Sequence, residues 1–164
     1  MQRHPSAEEP STDDHDHANL PVGTLKRLAT RAPIVIGVGA AIGVVARYSL
    51  TEWSHENMPG LYPIGTFVIN LLGCLLIGIV QYLYLEAKTL RRPTQLFLAV
   101  GFCGGFTTFS TFSVETLQLI EGDHVMLALA YQLFSVAGGL FAVACGIGIA
   151  SVGVRVFGRN RSTT

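Results

Sequence analysis

A chain of 164 residues with 49% hydrophobic and 13% charged residues has room for one domain, and it is more apolar than ordinary soluble proteins. Lys and Arg together number 11, as do Asp and Glu, and this zero net charge argues against a nucleic-acid partner. Long stretches such as 34–46 and 125–154 carry no Asp, Glu, Lys or Arg. A bilayer core is about 30 Å thick and takes about 20 apolar residues per helix, a requirement the chain meets four times.

Residues 1–30 are polar, with Glu8, Glu9, Asp13, Asp14 and Asp16, and read as a disordered tail that is too long and too acidic for a signal-peptide start. The Asp-Asp-His-Asp-His run at 13–17 has two readings, a solvated tail or a loose metal-binding stretch. The first span is expected at about 33–50, opening on Pro33 at a helix start. Its Gly39 and Gly43, with Gly37 nearby, let a neighbouring backbone approach closely. Arg47, near the end of that span, either snorkels to the interface or lends its charge to a vestibule where anions gather.

Residues 51–62 read as a short loop with Trp53 and Tyr62 at interface depth, and the second span covers about 63–85. Asn70 is the strongly polar side chain in its interior. An amide in hydrocarbon needs partners, either on another helix or in a dehydrated anion passing by. After a basic connection with Lys88, Arg91 and Arg92 comes the third span, about 95–120, and after a turn at 121–124 the fourth, about 125–154. The fourth contains a small-residue stripe of Gly138, Ala142 and Gly146, and another stripe of Tyr131, Ser135 and Gly139 at four-residue spacing. Its length implies tilt or protrusion. A basic tail closes the chain at 155–164. Cys74, Cys103 and Cys145 all fall within apolar segments, as small buried hydrophobes do, and their spacing matches no metal-ligand motif.

The third span is the unusual one. Residues 100–115 read Val-Gly-Phe-Cys-Gly-Gly-Phe-Thr-Thr-Phe-Ser-Thr-Phe-Ser-Val-Glu. Gly104 and Gly105 are poor helix formers, and the hydroxyls that follow can satisfy backbone groups set free by a break. Irregular backbone at membrane depth is tolerated only inside protein or along a polar cavity, so the stretch predicts a site. Phe109, Phe112 and Glu115 recur every three residues and share a helical face. By themselves, two rings at this spacing are more commonly a packing stripe.

The block Gly-Gly-Phe-Thr-Thr-Phe-Ser-Thr-Phe-Ser at 104–113 resembles the signature of the Fluc (CrcB) family of fluoride channels. Gly-Thr-Phe-Val-Ile-Asn at 65–70 and residues 39–48 extend the likeness over about 33–154. The resemblance implies an all-α membrane protein with four transmembrane helices, the third broken. Two antiparallel subunits would assemble as a dual-pore dimer, with a structural sodium ion (Na+) at the interface. It implies that Phe109 and Phe112 present positively polarised ring edges to fluoride, that Asn70 donates a hydrogen bond on the route, and that Thr111, Ser113, Glu115, Tyr131 and Ser135 supply polar groups along it. Gly139 stands where a further hydroxyl would be sought. The backbone carbonyls of Gly104 and Thr107 would coordinate the sodium. The implied activity is passive fluoride exit across the cell membrane, which lowers fluoride toxicity.

A small proton-coupled multidrug exporter is the rival class. It needs a membrane-embedded carboxylate, for which Glu115 is the acidic candidate in the third span. An enzyme is not expected, because all five histidines (His4, His15, His17, His55 and His124) lie in tails and loops. Orientation is read from charge. Lys26, Arg27, Arg31, Lys88, Arg91, Arg92, Arg155, Arg159 and Arg161 fall on one side, so the positive-inside rule puts both termini in the cytoplasm. A fixed orientation in an antiparallel dimer favours a similar second chain of opposite bias over a homodimer.

Overall fold

The computed structural model of the chain describes residues 22–57 and 63–160. By its contacts the chain divides into Met1–Arg31 and Ala32–Thr164, and the membrane architecture belongs to the second unit. The Asp-His run at 13–17 and Tyr62 lie outside the described residues.

Four helices are long and apolar enough to cross a membrane, at Arg31–Asn57, Ile64–Leu85, Arg92–Glu121 and Val125–Val156, and there is no strand among the described residues. The chain is a multi-pass, all-helical membrane protein. Helix α1 runs Val22–Asn57, α2 Ile64–Leu85 and α6 Val125–Asn160. The third span is composite: a helical turn α3 (Arg92–Gln95), a wide π-helical segment (Leu96–Phe102), a turn α4 (Cys103–Phe106) and then α5 (Phe109–Glu121).

The first helix departs from its expected bounds at both ends. It begins inside the segment read as a tail, so Pro33 lies within it and does not open it. It also continues through 51–57, expected to be loop. Helix formation follows backbone propensity and local bonds, not hydropathy alone. Here Thr51 Oγ1 donates to the Arg47 carbonyl at 2.9 Å and Asn57 Nδ2 to the Trp53 carbonyl at 2.9 Å.

Two glycine seams bring the spans together. On the first, Gly39 and Gly43 of α1 face Gly101 and Gly105 of the third span. A Cβ at Gly39 would lie 3.0 Å from the Phe102 amide nitrogen, and one at Gly105 would lie 3.0 Å from the Ala40 Cα and closer still to its carbonyl oxygen. On the second, Gly78 of α2 presses on Val143 of α6 and Gly146 of α6 on Leu75 and Ile79 of α2. Small residues permit this backbone approach, which drives helix association where lipid tails remove any hydrophobic advantage. The side chains turned outward are apolar, among them Leu133, Phe134, Leu140 and Phe141 of α6 and Ile34, Val38 and Val45 of α1. That distribution suits a chain whose solvent is hydrocarbon.

A tight turn joins α5 to α6. The amides of Asp123 and His124 donate to the carbonyls of Ile120 and Leu119, with Asp123 in the left-handed region at φ 61°. This reversal sets Phe112 and Glu115 of α5 against Tyr131 of α6.

Candidate functional site

The third span parts at Thr107 and Thr108, both extended (ψ 158° and 124°) between helical neighbours. Gly104 and Gly105, where sequence reasoning located the difficulty, are helical within α4. Gly105 has a separate task, since its missing Cβ admits the Ala40 backbone of α1.

Asn70 of α2 holds the extended pair. The Thr108 amide donates to Asn70 Oδ1 at 2.9 Å, and Asn70 Nδ2 donates to the Thr108 carbonyl at 3.0 Å. One side chain thus replaces both helical partners of a residue taken out of the helix, and one N–H of the Asn70 amide is left over. One turn further along α2, Gly73 leaves room for the Thr107 methyl group.

Among the carbonyls that lose their usual donors at the break are those of Gly104 and Thr107. In an unbroken helix the Thr108 amide would close onto Gly104 and the Thr111 amide onto Thr107. Instead the former goes to Asn70 and the latter to Thr108 Oγ1 at 3.2 Å, as an N-cap of α5. These are the two carbonyls from which a cation site was expected, and hard oxygen donors released in this way suit an alkali cation. A Cβ at Gly104 would meet nothing within 4 Å, so that carbonyl's residue is open on its side-chain face. On the neighbouring carbonyl, Arg47 Nε of α1 donates to Gly105 O at 3.2 Å.

Beside the break lies an open groove of about 310 Å³, lined by Asn70, Gly73, Cys74, Ile77, Thr107, Thr108, Phe109, Phe112, Ser135 and Val136. No lining side chain is charged. Phe109 is 79% exposed, and its ring centroid lies 5.8 Å from that of Phe112. Phe112 in turn lies 5.0 Å from Tyr131, joining the groove to a small core of Leu119, Ala128 and Tyr131. Ser135 Oγ is fully buried and has no hydrogen-bond partner.

Behind Phe112 sits a buried carboxylate. Thr66 Oγ1 donates to Glu115 Oε1 and Tyr131 OH to Glu115 Oε2, each at 2.7 Å. Both oxygens therefore accept from neutral hydroxyls, at ordinary O–H···O lengths. Neither Glu115 nor Tyr131 lines the groove itself.

Of the residues singled out from sequence, the structure gathers Asn70, Phe109, Phe112 and Ser135 around one groove, with Thr107 among them, and sets Glu115 and Tyr131 one layer behind. Thr111 and Ser113 are placed otherwise. Thr111 accepts from the Thr108 hydroxyl at 3.0 Å, and Ser113 Oγ donates back to the Phe109 carbonyl at 2.8 Å on an exposed face. Two residues were missed. Thr66 completes the carboxylate cluster, and its place four residues before Asn70, hence on the same face of α2, was a usable signal. Cys74 lines the groove, where sequence offered only a small hydrophobe.

Comparison with known proteins adds a second line of support. The family model described as "CrcB-like protein, Camphor Resistance (CrcB)" matches residues 34–147. A "Fluoride-specific ion channel FluC" from Chloroflexus aurantiacus is 44% identical over 116 residues, covering 71% of this chain and 92% of that protein. "Fluoride-specific ion channel FluC 1" of Moorella thermoacetica is 43% identical over 117 residues, covering 71% of this chain and 84% of the relative. A Pseudomonas fluorescens protein of the former name is 38% identical over 116 residues, covering 71% and 94%.

Proposed function

This chain belongs to the CrcB family, and from that premise we infer that it is a fluoride-specific ion channel through which fluoride leaves the cell passively, lowering its toxicity. The observation that carries the inference is the uncharged lining of the groove, where two phenylalanine rings face amide and hydroxyl groups. Fluoride is small and holds its water tightly. A path for it must replace that shell with donors and ring edges while binding weakly enough to release the ion, and fixed Lys or Arg would retain it. The spare N–H of Asn70 and the unpartnered Ser135 hydroxyl are donors of this kind, and an ion passing Phe112 meets the Tyr131 hydroxyl next. Tyr131 and Thr66 are engaged with Glu115, so either can donate to fluoride only when its bond to the carboxylate opens.

Glu115 does not suit the exporter reading. Exchange of a substrate for protons needs a carboxylate that the substrate can reach, whereas Glu115 is buried and bonded at both oxygens. Protein reconstituted in liposomes is expected to dissipate a fluoride gradient and to leave a chloride gradient standing. Chloride moving as fast as fluoride would sink the selectivity claim.

The functional unit is a pair of antiparallel subunits with two pores. Phe109 supports this, since a ring that lines an anion path must be screened from lipid and one chain leaves it 79% exposed. The Gly104 and Thr107 carbonyls are the groups that would hold a structural sodium ion at the subunit junction. One chain offers two such oxygens, and a second subunit of the same family would bring its own pair. A sodium ion held there would supply positive charge to the released carbonyls without being transported. Radioactive sodium crossing the membrane together with fluoride would refute this.

The bias of Lys and Arg supports a cytoplasmic position for both termini and a cell-membrane heterodimer with a similar chain of opposite bias. Tags on each terminus, tested for accessibility in intact cells, decide this. An even split between inside and outside would overturn the fixed orientation.

A further inference from the structure

On α1 the residues Gly39, Gly43 and Arg47 follow one another at four-residue intervals and so share one face. The two glycines are pressed against the backbone of the third span, the second of them against the Phe102 carbonyl and the Phe106 amide. The next side chain on that face therefore arrives where α4 ends. It is a guanidinium, half-buried, with Nε donating to the Gly105 carbonyl at 3.2 Å across 58 residues of sequence. In an unbroken helix that carbonyl would belong to the amide of Phe109.

We propose that Arg47 is a positioning residue of the channel, which keeps the third span parted by giving Gly105 the donor that Phe109 would otherwise supply. Asn70 secures the far side of the break through Thr108, and Arg47 secures the near side. A cation is favoured at a helix C-terminus, where unpaired carbonyls concentrate negative partial charge. Nε suits the task because it lies at the root of a rigid planar group, with its single N–H fixed in direction. Without it the Phe109 amide is free to close onto Gly105, which draws the start of α5 towards α4. That movement displaces the Phe109 ring from the groove. The effect on fluoride rests on the channel reading, but the bond itself does not.

A vestibule charge that merely attracts anions would depend on the sign of residue 47 and would be screened by salt, whereas a fixed donor depends on its geometry. Arg47→Lys keeps the charge and loses Nε, and Arg47→Met loses both. Fluoride efflux from liposomes is expected to fall on the order of tenfold in each variant, the loss expected from one charge-assisted hydrogen bond. The deficit should be the same at low and high concentrations of an impermeant salt. Wild-type efflux in Arg47→Lys, or a deficit in Arg47→Met that fades as salt rises, would overturn the proposal in favour of a field effect. If neither variant folds, a solid-state magnetic-resonance distance between Arg47 15Nε and the Gly105 carbonyl 13C in the unsubstituted protein decides the matter. Hydrogen-bonded proximity is expected, and separation beyond it overturns the proposal. Unsubstituted protein that passes no fluoride would instead remove the channel reading, leaving the distance measurement to judge the bond.

Discussion

The two halves of the third span are held by different means. From Leu96 to Phe106 the chain lies backbone to backbone against α1, with Gly101 and Gly105 meeting Ile36 and Ala40 directly. From Phe109 onward no glycine takes part until the turn at Gly122, and α5 is held by side chains, through Phe112 on Tyr131 and Glu115 between Thr66 and Tyr131. A glycine seam fixes position by excluded volume and tolerates no addition. A set of hydrogen bonds and ring contacts fixes direction instead, and its members can exchange partners one at a time. The fluoride path proposed above would follow the second kind of surface, where donors must be strong enough to meet an ion and free enough to let it go.

The sharpest way to break this contrast is to fill the seam. Gly105→Leu is expected to yield no folded protein, because the added carbons meet the Ala40 backbone and backbone cannot turn aside as a rotamer can. Size-exclusion chromatography in detergent checks this, and a monodisperse peak at wild-type yield would show that the seam is looser than its geometry.

Next in size are Phe109→Ile and Phe112→Ile. An aliphatic group fills space but has no polarised ring edge, so each variant should stay folded while fluoride efflux drops on the order of tenfold or more. Normal conduction in both would make the rings packing residues.

The smallest expected difference is a matched pair of hydroxyl deletions. Thr66→Val takes one donor from a buried carboxylate and should lower stability by roughly 1–3 kcal/mol, seen as a lower melting temperature. Ser113→Ala removes only a back-bond on an exposed helical face and should change neither melting nor flux. Equal behaviour of the two would mean that burial of the Glu115 cluster contributes nothing.

Much of the fold was legible because hydropathy and helix length are properties of local sequence. The four spans could be placed by counting apolar residues, and Asn70 stood out as an amide in hydrocarbon. The glycines misled in an instructive way. Gly104 and Gly105 suggested the break by propensity, yet the extended residues are Thr107 and Thr108, because the position of a break is set by what waits to receive the freed groups. Asn70 lies 38 positions away in sequence, and no local pattern reveals that it meets Thr108. Thr66 was overlooked for a related reason. A threonine in a membrane helix usually satisfies its hydroxyl on its own backbone, as Thr107 and Thr116 do. The spacing from Asn70 put Thr66 on the right face of α2, but its bond to Glu115 is a tertiary one that spacing alone does not reveal. The far end of α1 was missed because charged residues such as Glu52 and Glu56 continue a helix beyond the bilayer as readily as apolar ones.

The stripe of Tyr131 and Ser135 on α6 comes next to Gly139, and a Cβ there would meet a single neighbour, Cys74 Sγ at 3.3 Å. Positions 74 and 139 therefore share one small volume across the α2–α6 boundary. A side chain at 139 can be accepted only if the Cys74 thiol turns aside, so what position 139 tolerates is decided on the neighbouring helix. A side chain transplanted at 139 from a relative would be judged by the thiol it displaces as much as by its own chemistry.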